Sequence, residues 1–408
     1  MEKIFRNSGM IYAGFSTSWW LLTLAIAFYF PTEMDISEVS DCYELEEVKA
    51  PWQPFNESFD CWWESNFRHN GSPGMAVAIL KEGEVVFKRT YGVRRVQSNI
   101  KVDGRTSFRM ASVSKTFAGV LTEILVEKDF LDWEDRVIDH VPGFKLKDSI
   151  TTNSLKVKHL LSHTTGLPRH AYSNLLNAGI PYREILNMLS EVTIFHPPGD
   201  TYNYQNVAFS IIGDVLQSVT GKPYSDLLEE YIFLPLGMAD ASTDYDTFVR
   251  SNNIAYPHQR RYGSYREGKV SANYFDVGPA AGVNASLDDM IKYLRLLTGY
   301  HPEVLAKSGL LQIFSPQVPV SKREGVVVSW RPVSKAWYGL GWRGIQKEGQ
   351  TIIYHGGYVN GYRSEIMIIP EEDLGLVILS NAPNSLISDA GVVFLEYLKE
   401  HGYPFEEI

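Results

Sequence analysis

Phe108-Arg109-Met110-Ala111-Ser112-Val113-Ser114-Lys115 is the stretch on which the fold and the chemistry of this chain turn. Thr116, Phe117, Ala118, Val120, Leu121 and Leu125 follow it without a breaker, so the serine stands at the start of an apolar helix. Residues three apart on a helix share a face, which brings the Ser112 hydroxyl within reach of the Lys115 amine. A serine hydroxyl is a weak nucleophile until a neighbouring base takes its proton. Lysine does that work only when neutral, which requires desolvation or nearby positive charge. The spacing alone is not diagnostic. Ser98-Asn99-Ile100-Lys101 repeats it in a loop-like stretch, and a helix-start serine reads the same way.

Two stretches further along supply what the pair lacks. His196-Pro197-Pro198-Gly199-Asp200-Thr201-Tyr202-Asn203-Tyr204-Gln205-Asn206 sets a Tyr-x-Asn after a Pro-Gly turn and ahead of an apolar helix. Tyr354-His355-Gly356-Gly357-Tyr358 ends an expected strand on His-x-Gly. Tyr172-Ser173-Asn174 and His69-Asn70-Gly71 have the same residue types without those settings.

In this order the motifs resemble the S-x-x-K serine hydrolases: class C β-lactamases, low-molecular-weight penicillin-binding proteins, related esterases and D-aminopeptidases. Leu160-Leu161-Ser162-His163-Thr164-Thr165-Gly166-Leu167-Pro168, Pro235-Leu236-Gly237-Met238, Ala281-Gly282-Val283-Asn284-Ala285-Ser286, Tyr338-Gly339-Leu340-Gly341-Trp342 and Ser380-Asn381 extend the likeness over roughly Pro73 to Leu398. The resemblance implies an α/β (α+β) fold of β-lactamase/transpeptidase type, an antiparallel sheet flanked by helices plus a mostly helical domain, with the site between them. It implies no cofactor and no metal. Ser112 would be acylated, Lys115 and the Tyr204 hydroxyl would shuttle its proton, and Asn206 would orient substrate and Lys115. The backbone N–H groups of Ser112 and of Tyr358, just past His355-Gly356-Gly357, would form the oxyanion hole.

The departures from the family pattern bear on substrate. His355 stands where β-lactamases carry the lysine of Lys-Thr-Gly, and Gly356 where they carry a hydroxyl that helps hold a carboxylate. Both favour a peptidase, aminopeptidase or esterase on cell-wall peptides or small acyl substrates over a class C-type β-lactamase. Arg363 offers a substitute carboxylate ligand or is a surface arginine. A weakly catalytic protein whose role is assembly at the membrane is the remaining alternative.

Composition sets the outer limits. Hydrophobic content of 44% with 21% charged residues in 408 residues describes a globular chain with a large core. A net charge of -10 excludes a nucleic-acid backbone as partner, and the basic cluster Arg260, Arg261, Arg266 and Lys269 reads as a solvated loop. Asn7 to Thr32 carries no charge. Met10 to Phe30 is long enough to span a bilayer, with Lys3 and Arg6 before it and acids after. Residues 1–31 are therefore expected to be an inner-membrane, single-pass anchor with the catalytic domain periplasmic, although Ala25-Ile26-Ala27 also suits signal cleavage.

Residues 32–54 read as a linker and 55–408 as the hydrolase domain. The sheet is expected from about 73–110 and 335–400, and a helical insertion from about 111–330. Phe55, Phe59, Trp62 and Phe67 predict an amphipathic helix over 55–69 that faces the core. Cys42 and Cys61 either pair or stay reduced. His159 and His163, four apart, lack the glutamate of a zinc-binding H-E-x-x-H and read as part of a turn. Oligomeric state is not legible.

Overall fold

The computed structural model describes residues 53–70, 72–322 and 330–400. At its centre is an eight-stranded sheet in the order β2-β1-β12-β11-β10-β9-β8-β7. The strands are β1 (Gly74–Lys81), β2 (Glu84–Gly92), β7 (Val318–Pro319), β8 (Lys335–Tyr338), β9 (Arg343–Lys347), β10 (Gln350–Val359), β11 (Tyr362–Ile369) and β12 (Leu374–Ser380). Every neighbouring pair whose register is resolved is antiparallel, and β1 lies against β12 with Met75 opposite Ser380. The two ends of the domain thus close one sheet, as the sequence suggested.

Alternation along the inner strands supplies two cores, because successive side chains point to opposite faces. Met75, Val77, Ile79, Leu376 and Ile378 face helices α1 (Gln53–Asn70) and α6 (Leu386–Glu400), packing with Phe59, Trp63 and Phe394. Ala76, Ala78, Leu80, Val377 and Leu379 face the helical part of the chain. That part contains α2 (Ser114–Glu127), α3 (Asn206–Thr220), α4 (Leu287–Leu297) and α5 (Lys307–Phe314). Both faces of β1 and β12 are covered, so these strands read as unbroken apolar runs.

Several expectations shift. α1 begins at Gln53, inside the expected linker. Of its aromatics, Phe59 and Trp63 are fully buried, whereas Trp62 and Phe67 only pack on the margin. The basic cluster is not a plain loop: β4 (His258–Arg261) and β5 (Ser264–Glu267) pair as a hairpin through Tyr262-Gly263, with Gly263 at φ +81°. β8 and β9 were not foreseen, and β10 carries the His355 motif at its end, one residue before its last, Val359. Two short strands, β3 (Phe108–Arg109) and β6 (Asn284–Ala285), pair beside the serine motif.

Among the described residues no helix is long and apolar enough to cross a membrane. The expected transmembrane helix within residues 1–31, most of the linker and Cys42 lie outside the described residues.

Candidate active site

Ser112 is presented by a turn that the surrounding backbone holds from several directions. Arg109 on β3 pairs with Asn284, and the Met110 N–H donates to the Val283 carbonyl at 2.9 Å. The Arg109 side chain is fully buried. Its guanidinium donates to the carbonyls of Ser271 and Asn273 at 3.1–3.2 Å and lies 4.0 Å from the Phe275 ring centre. Burial pushes its pKa down to about 10. Next comes Ala111 at φ +49°, a left-handed conformation that costs a residue with a Cβ on the order of 1–3 kcal/mol. The Met110 carbonyl before it accepts from Ser364 Oγ at 2.6 Å and from the Val113 N–H at 3.1 Å, which fixes the bend. The neighbouring Ser114 is buried, and its Oγ accepts from the Val283 N–H at 3.0 Å. Of the two serines in the motif, Ser112 alone faces the site.

Lys115, one turn into the helical run, is completely buried. Its Nζ lies 2.8 Å from Asn206 Oδ1, 2.9 Å from the Ala280 carbonyl and 3.4 Å from Ser112 Oγ. Burial first, and then the Arg343 charge, push its pKa well below the ordinary lysine value. A neutral amine has two N–H bonds and one lone pair. Asn206 and Ala280 take the two N–H bonds, which leaves the lone pair for the Ser112 hydroxyl. From the other side the Tyr204 hydroxyl donates to Ser112 Oγ at 2.8 Å. Burial holds the Tyr204 pKa above the ordinary tyrosine value, so the phenol stays protonated.

His163 is what aims Tyr204. It sits at φ +58° with its carbonyl accepting from the Asn203 N–H at 2.8 Å and its Nδ1 from the Gln205 N–H at 3.2 Å. Its ring centre is 4.3 Å from that of Tyr204. His163 therefore holds the backbone on both sides of the tyrosine, Asn203 through its own carbonyl and Gln205 through its imidazole. His159 works more locally, its Nδ1 accepting from the Lys156 N–H at 3.1 Å.

On the opposite wall, β10 carries the His355 motif. The hydrogen-bond pattern fixes the tautomer: Nδ1–H donates to the Gly356 carbonyl at 2.9 Å, and Nε2 accepts from the Tyr338 hydroxyl at 3.1 Å. Burial first, and then the Arg343 charge, hold His355 far below its usual pKa. It is a neutral imidazole with both nitrogens engaged. Gly357 is required at its position, because a Cβ there would lie 2.4 Å from the Met110 carbonyl. Its absence lets β10 press on the Met110–Ala111 turn that leads into Ser112. Gly356 is different, since a Cβ there meets nothing nearer than Glu365 Oε2 at 3.8 Å.

Sequence reasoning missed Arg343. β10 pairs with β9 only as far as Tyr354 opposite Arg343, while its pairing with β11 continues to Val359 opposite Tyr362. Arg343 thus stands where β9 leaves the edge of β10. Its guanidinium carbon lies 5.6 Å from the Tyr338 ring centre, 5.7 Å from that of Tyr204 and 6.0 Å from that of Tyr202. The glycines of Tyr338-Gly339-Leu340-Gly341-Trp342 make this approach possible. A Cβ on Gly341, at φ +86°, would lie 2.4 Å from the Lys115 carbonyl, and one on Gly119 would lie 2.2 Å from that of Leu340. In the sequence only Gly339-Leu340-Gly341, ending two residues before it, hinted at it.

A cleft of ≈ 540 Å³ runs along this edge. Arg343, Tyr202, Gly356, Gly357 and Tyr358 line it, together with Arg169 and the Arg363 singled out from the sequence. The decoys stay apart. Ser98 is in a turn, its Oγ 3.5 Å from the Arg95 carbonyl, Tyr172 precedes a short helix, and His69 is near the end of α1.

The Beta-lactamase family model matches residues 62–393. "Protein flp" of Staphylococcus aureus (strain MW2) is 23% identical over 327 residues, 80% of this chain and 63% of that protein. "Unguisins hydrolase ungD'" of Aspergillus campestris is 25% identical over 338 residues, 80% of this chain and 61% of its own length. The chain thus spans a little over three fifths of the curated relatives it matches. Among solved structures, the octameric penicillin-binding protein homologue from Pyrococcus abyssi superimposes with a TM-score of 0.72 at 21% identity, covering 84% of this chain and 78% of that one. SurE does so with a TM-score of 0.69 at 21% identity, covering 86% and 77%.

Proposed function

The chain belongs to the beta-lactamase family of serine hydrolases, and from that premise we propose that it is an active acyl-transfer enzyme working through an acyl-enzyme at Ser112. The observation that carries this reading is the position of Ser112 Oγ, 3.4 Å from a lysine amine whose pKa burial lowers well below the ordinary value and 2.8 Å from a protonated tyrosine. The Lys115 lone pair takes the Ser112 proton as Oγ attacks the substrate carbonyl. Tyr204 gives its proton to the leaving atom as the acyl–leaving-group bond breaks, and the Lys115 ammonium replaces the tyrosine proton. Water then repeats the sequence to release the acid. The N–H groups of Ser112 and Tyr358 stabilise the oxyanion, and Asn206 keeps the Lys115 lone pair on the serine.

The substrates we assign are peptides or esters rather than β-lactams, because His355 is neutral and fully engaged and Gly356 has no hydroxyl. The name of the Aspergillus relative, a hydrolase, agrees with the general chemistry. We further propose that residues 10–30 hold the enzyme at a membrane with the hydrolase domain on the extracytoplasmic side. That rests on the uncharged run and its flanking charges alone.

The test is covalent labelling of the full chain with a fluorophosphonate, followed by peptide mass spectrometry. The adduct is expected on the peptide containing Ser112–Lys115 and is expected to vanish in Ser112→Ala. An adduct on Ser98 or Ser114 would overturn the assignment.

A further inference from the structure

A second cleft, of ≈ 610 Å³, shares no lining residue with the one along β10. Val85 to Arg89 of β2 line it in unbroken succession, so it runs along the strand. Facing them is α4, whose Asp288, Ile291, Lys292 and Arg295 stand at helical spacing on one stripe. The strand segment covers about 13 Å and the helix stripe about 10 Å, room for about three or four extended residues. β2 is also the last strand of its sheet. β1 pairs with it on one side, and no strand among the described residues does on the other. The outer backbone of β2 is therefore open, with the Lys88 carbonyl accepting from the neighbouring Arg89 guanidinium at 2.9 Å.

This groove carries more positive charge than it neutralises, in a chain whose net charge is -10. Three of its five cations have carboxylate partners. Lys88 Nζ lies 2.7 Å from Asp288, the Arg105 fork donates to both Asp240 oxygens at 2.7–3.0 Å, and Arg89 Nε donates to Asp60 at 2.9 Å. Lys292 and Arg295 have none among the described residues. The lysine donates to the Gly237 carbonyl, and the arginine, through Nε at 2.9 Å, to the Gly83 carbonyl. Both are half-buried, so part of their hydration is already lost, and each keeps N–H donors to spare. One turn apart on α4, they present two charges without counterions to a groove that Val85 and Ile291 make partly apolar.

We propose that this groove docks an extended acidic peptide, which adds as a strand to the free edge of β2 and turns alternate carboxylates toward Lys292 and Arg295. A strand paired with β2 satisfies the open backbone, and its side chains alternate between the two faces of the sheet. Those on the α4 face meet the two surplus cations. Those on the other face look toward α1, where Asp60 already serves Arg89 and Tyr91, so a carboxylate there is repelled. The site thus asks for acids at every second position, not for negative charge alone. A second copy of the chain fits poorly by the same criterion. Pairing β2 with β2 would bring the Lys88 and Arg89 cations of two chains side by side. The inference does not depend on the hydrolase reading above.

The test titrates fluorescein-labelled Glu-Val-Glu-Val-Glu against the full chain in neutral detergent at low salt, read by fluorescence anisotropy. Two controls carry the same charge. Glu-Glu-Val-Val-Glu cannot place all its acids on one face, and a fully backbone-N-methylated copy of the first peptide cannot pair as a strand. The alternating peptide should bind about 10-fold more tightly than either control and should slow amide exchange in residues 84–92. Lys292→Gln and Arg295→Gln keep a donor for the Gly237 and Gly83 carbonyls while removing the charge, and each should weaken binding by about 10-fold. Melting temperature and fluorophosphonate labelling at Ser112 should stay at wild-type levels in both. Equal affinity for the three peptides would overturn the proposal. Preference for tripolyphosphate over the alternating peptide would overturn it in favour of a small polyanion. Concentration-dependent protection of residues 84–92 without peptide would overturn it in favour of a second copy. The exchange measurement needs no variant, so absence of peptide-induced protection decides against the proposal even where a glutamine variant fails to fold.

Discussion

The two sides of the candidate site are built by different rules. The helical wall carries Ser112, Lys115, Tyr204 and Asn206, and each of these touches another within 3.4 Å. Its parts are short motifs whose local geometry delivers the side chain: three residues along one helical run, or two across a helix start. The sheet wall carries His355, Gly356, Gly357 and Arg343, and its geometry depends on strand register, on where β9 stops, and on which glycine a neighbour crowds. The first side holds a serine, lysine, tyrosine and asparagine in mutual contact. The second has lost a cation and a hydroxyl and acquired an arginine from another strand. On the hydrolase reading proposed above, bond cleavage and substrate choice are separable, and changes on each side should have different signatures.

The largest effects are expected on the helical wall. Lys115→Met and Tyr204→Phe should each lower kcat/KM by about 10²- to 10⁴-fold, the usual range for loss of a positioned proton carrier. Because these groups act on the reacting bond, neutral and anionic substrates should suffer alike. Steady-state rates with p-nitrophenyl acetate and with nitrocefin would check this. A Tyr204→Phe enzyme of near-normal rate would break the comparison, since it would remove tyrosine from the proton path altogether.

This contrast also explains what could be read from the sequence. Ser112 and Lys115 were legible from their spacing at the start of an apolar run, and Tyr204 and Asn206 from a Tyr-x-Asn whose roles the resemblance implied; the structure brings all four together. The strands at both ends of the domain were legible from apolar runs such as Met75–Leu80 and Leu374–Ser380. Arg343 was not, because no local pattern tells where a strand ends beside its neighbour. β8 and β9 escaped for a related reason: Lys335-Ala336-Trp337-Tyr338 and Arg343-Gly344-Ile345-Gln346-Lys347 are too short and too mixed to alternate clearly. His163 was noticed as half of an i, i+4 histidine pair. Its real partners, the backbone of Asn203 and Gln205, are some forty residues away and carry no residue-type signal.

A middle-sized effect is expected at the triplet. Wild-type turnover of nitrocefin should be slow relative to p-nitrophenyl acetate. Replacing His355 by lysine and Gly356 by threonine should raise nitrocefin turnover by about 10- to 100-fold, with little change for the neutral ester. The threonine has room, since its Cβ would meet no atom closer than 3.8 Å. The adjacent glycine is a control. Gly357→Ala places a Cβ 2.4 Å from the Met110 carbonyl and should impair every substrate by displacing the oxyanion donors. If the double variant gained nothing against nitrocefin while folding normally, the loss of β-lactam recognition would have to lie elsewhere in the cleft.

The smallest effect concerns stability, and it distinguishes the histidines that hold the two walls from the lysine that does the chemistry. Burial, assisted by neighbouring cations, pushes His163 and His355 far below the ordinary value of 6.5, and His159 down to about 4. A base whose folded pKa is depressed is neutral in the fold but binds a proton once unfolded. Its contribution to stability is therefore complete above pH 6.5 and is lost progressively as the pH falls toward the folded value. For His159 the window runs from about 6.5 to about 4. At 1.36 kcal/mol per unit its ceiling is about 3 kcal/mol, reduced by whatever solvent reaches the ring. The physical event is specific: a proton on His159 Nδ1 destroys the acceptor for the Lys156 N–H, at 3.1 Å, that starts the helix at Val157. Melting temperature measured from pH 8 to pH 4.5 should be flat at first and then fall below about 6.5. In His159→Gln, whose amide oxygen can still accept that N–H without titrating, the fall should be shallower. The acid limb of kcat/KM, set by Lys115, should not move in this variant, because His159 is not among the charges that shift the lysine. A parallel shift of both limbs would mean that activity at low pH is lost through unfolding rather than through protonation of the base.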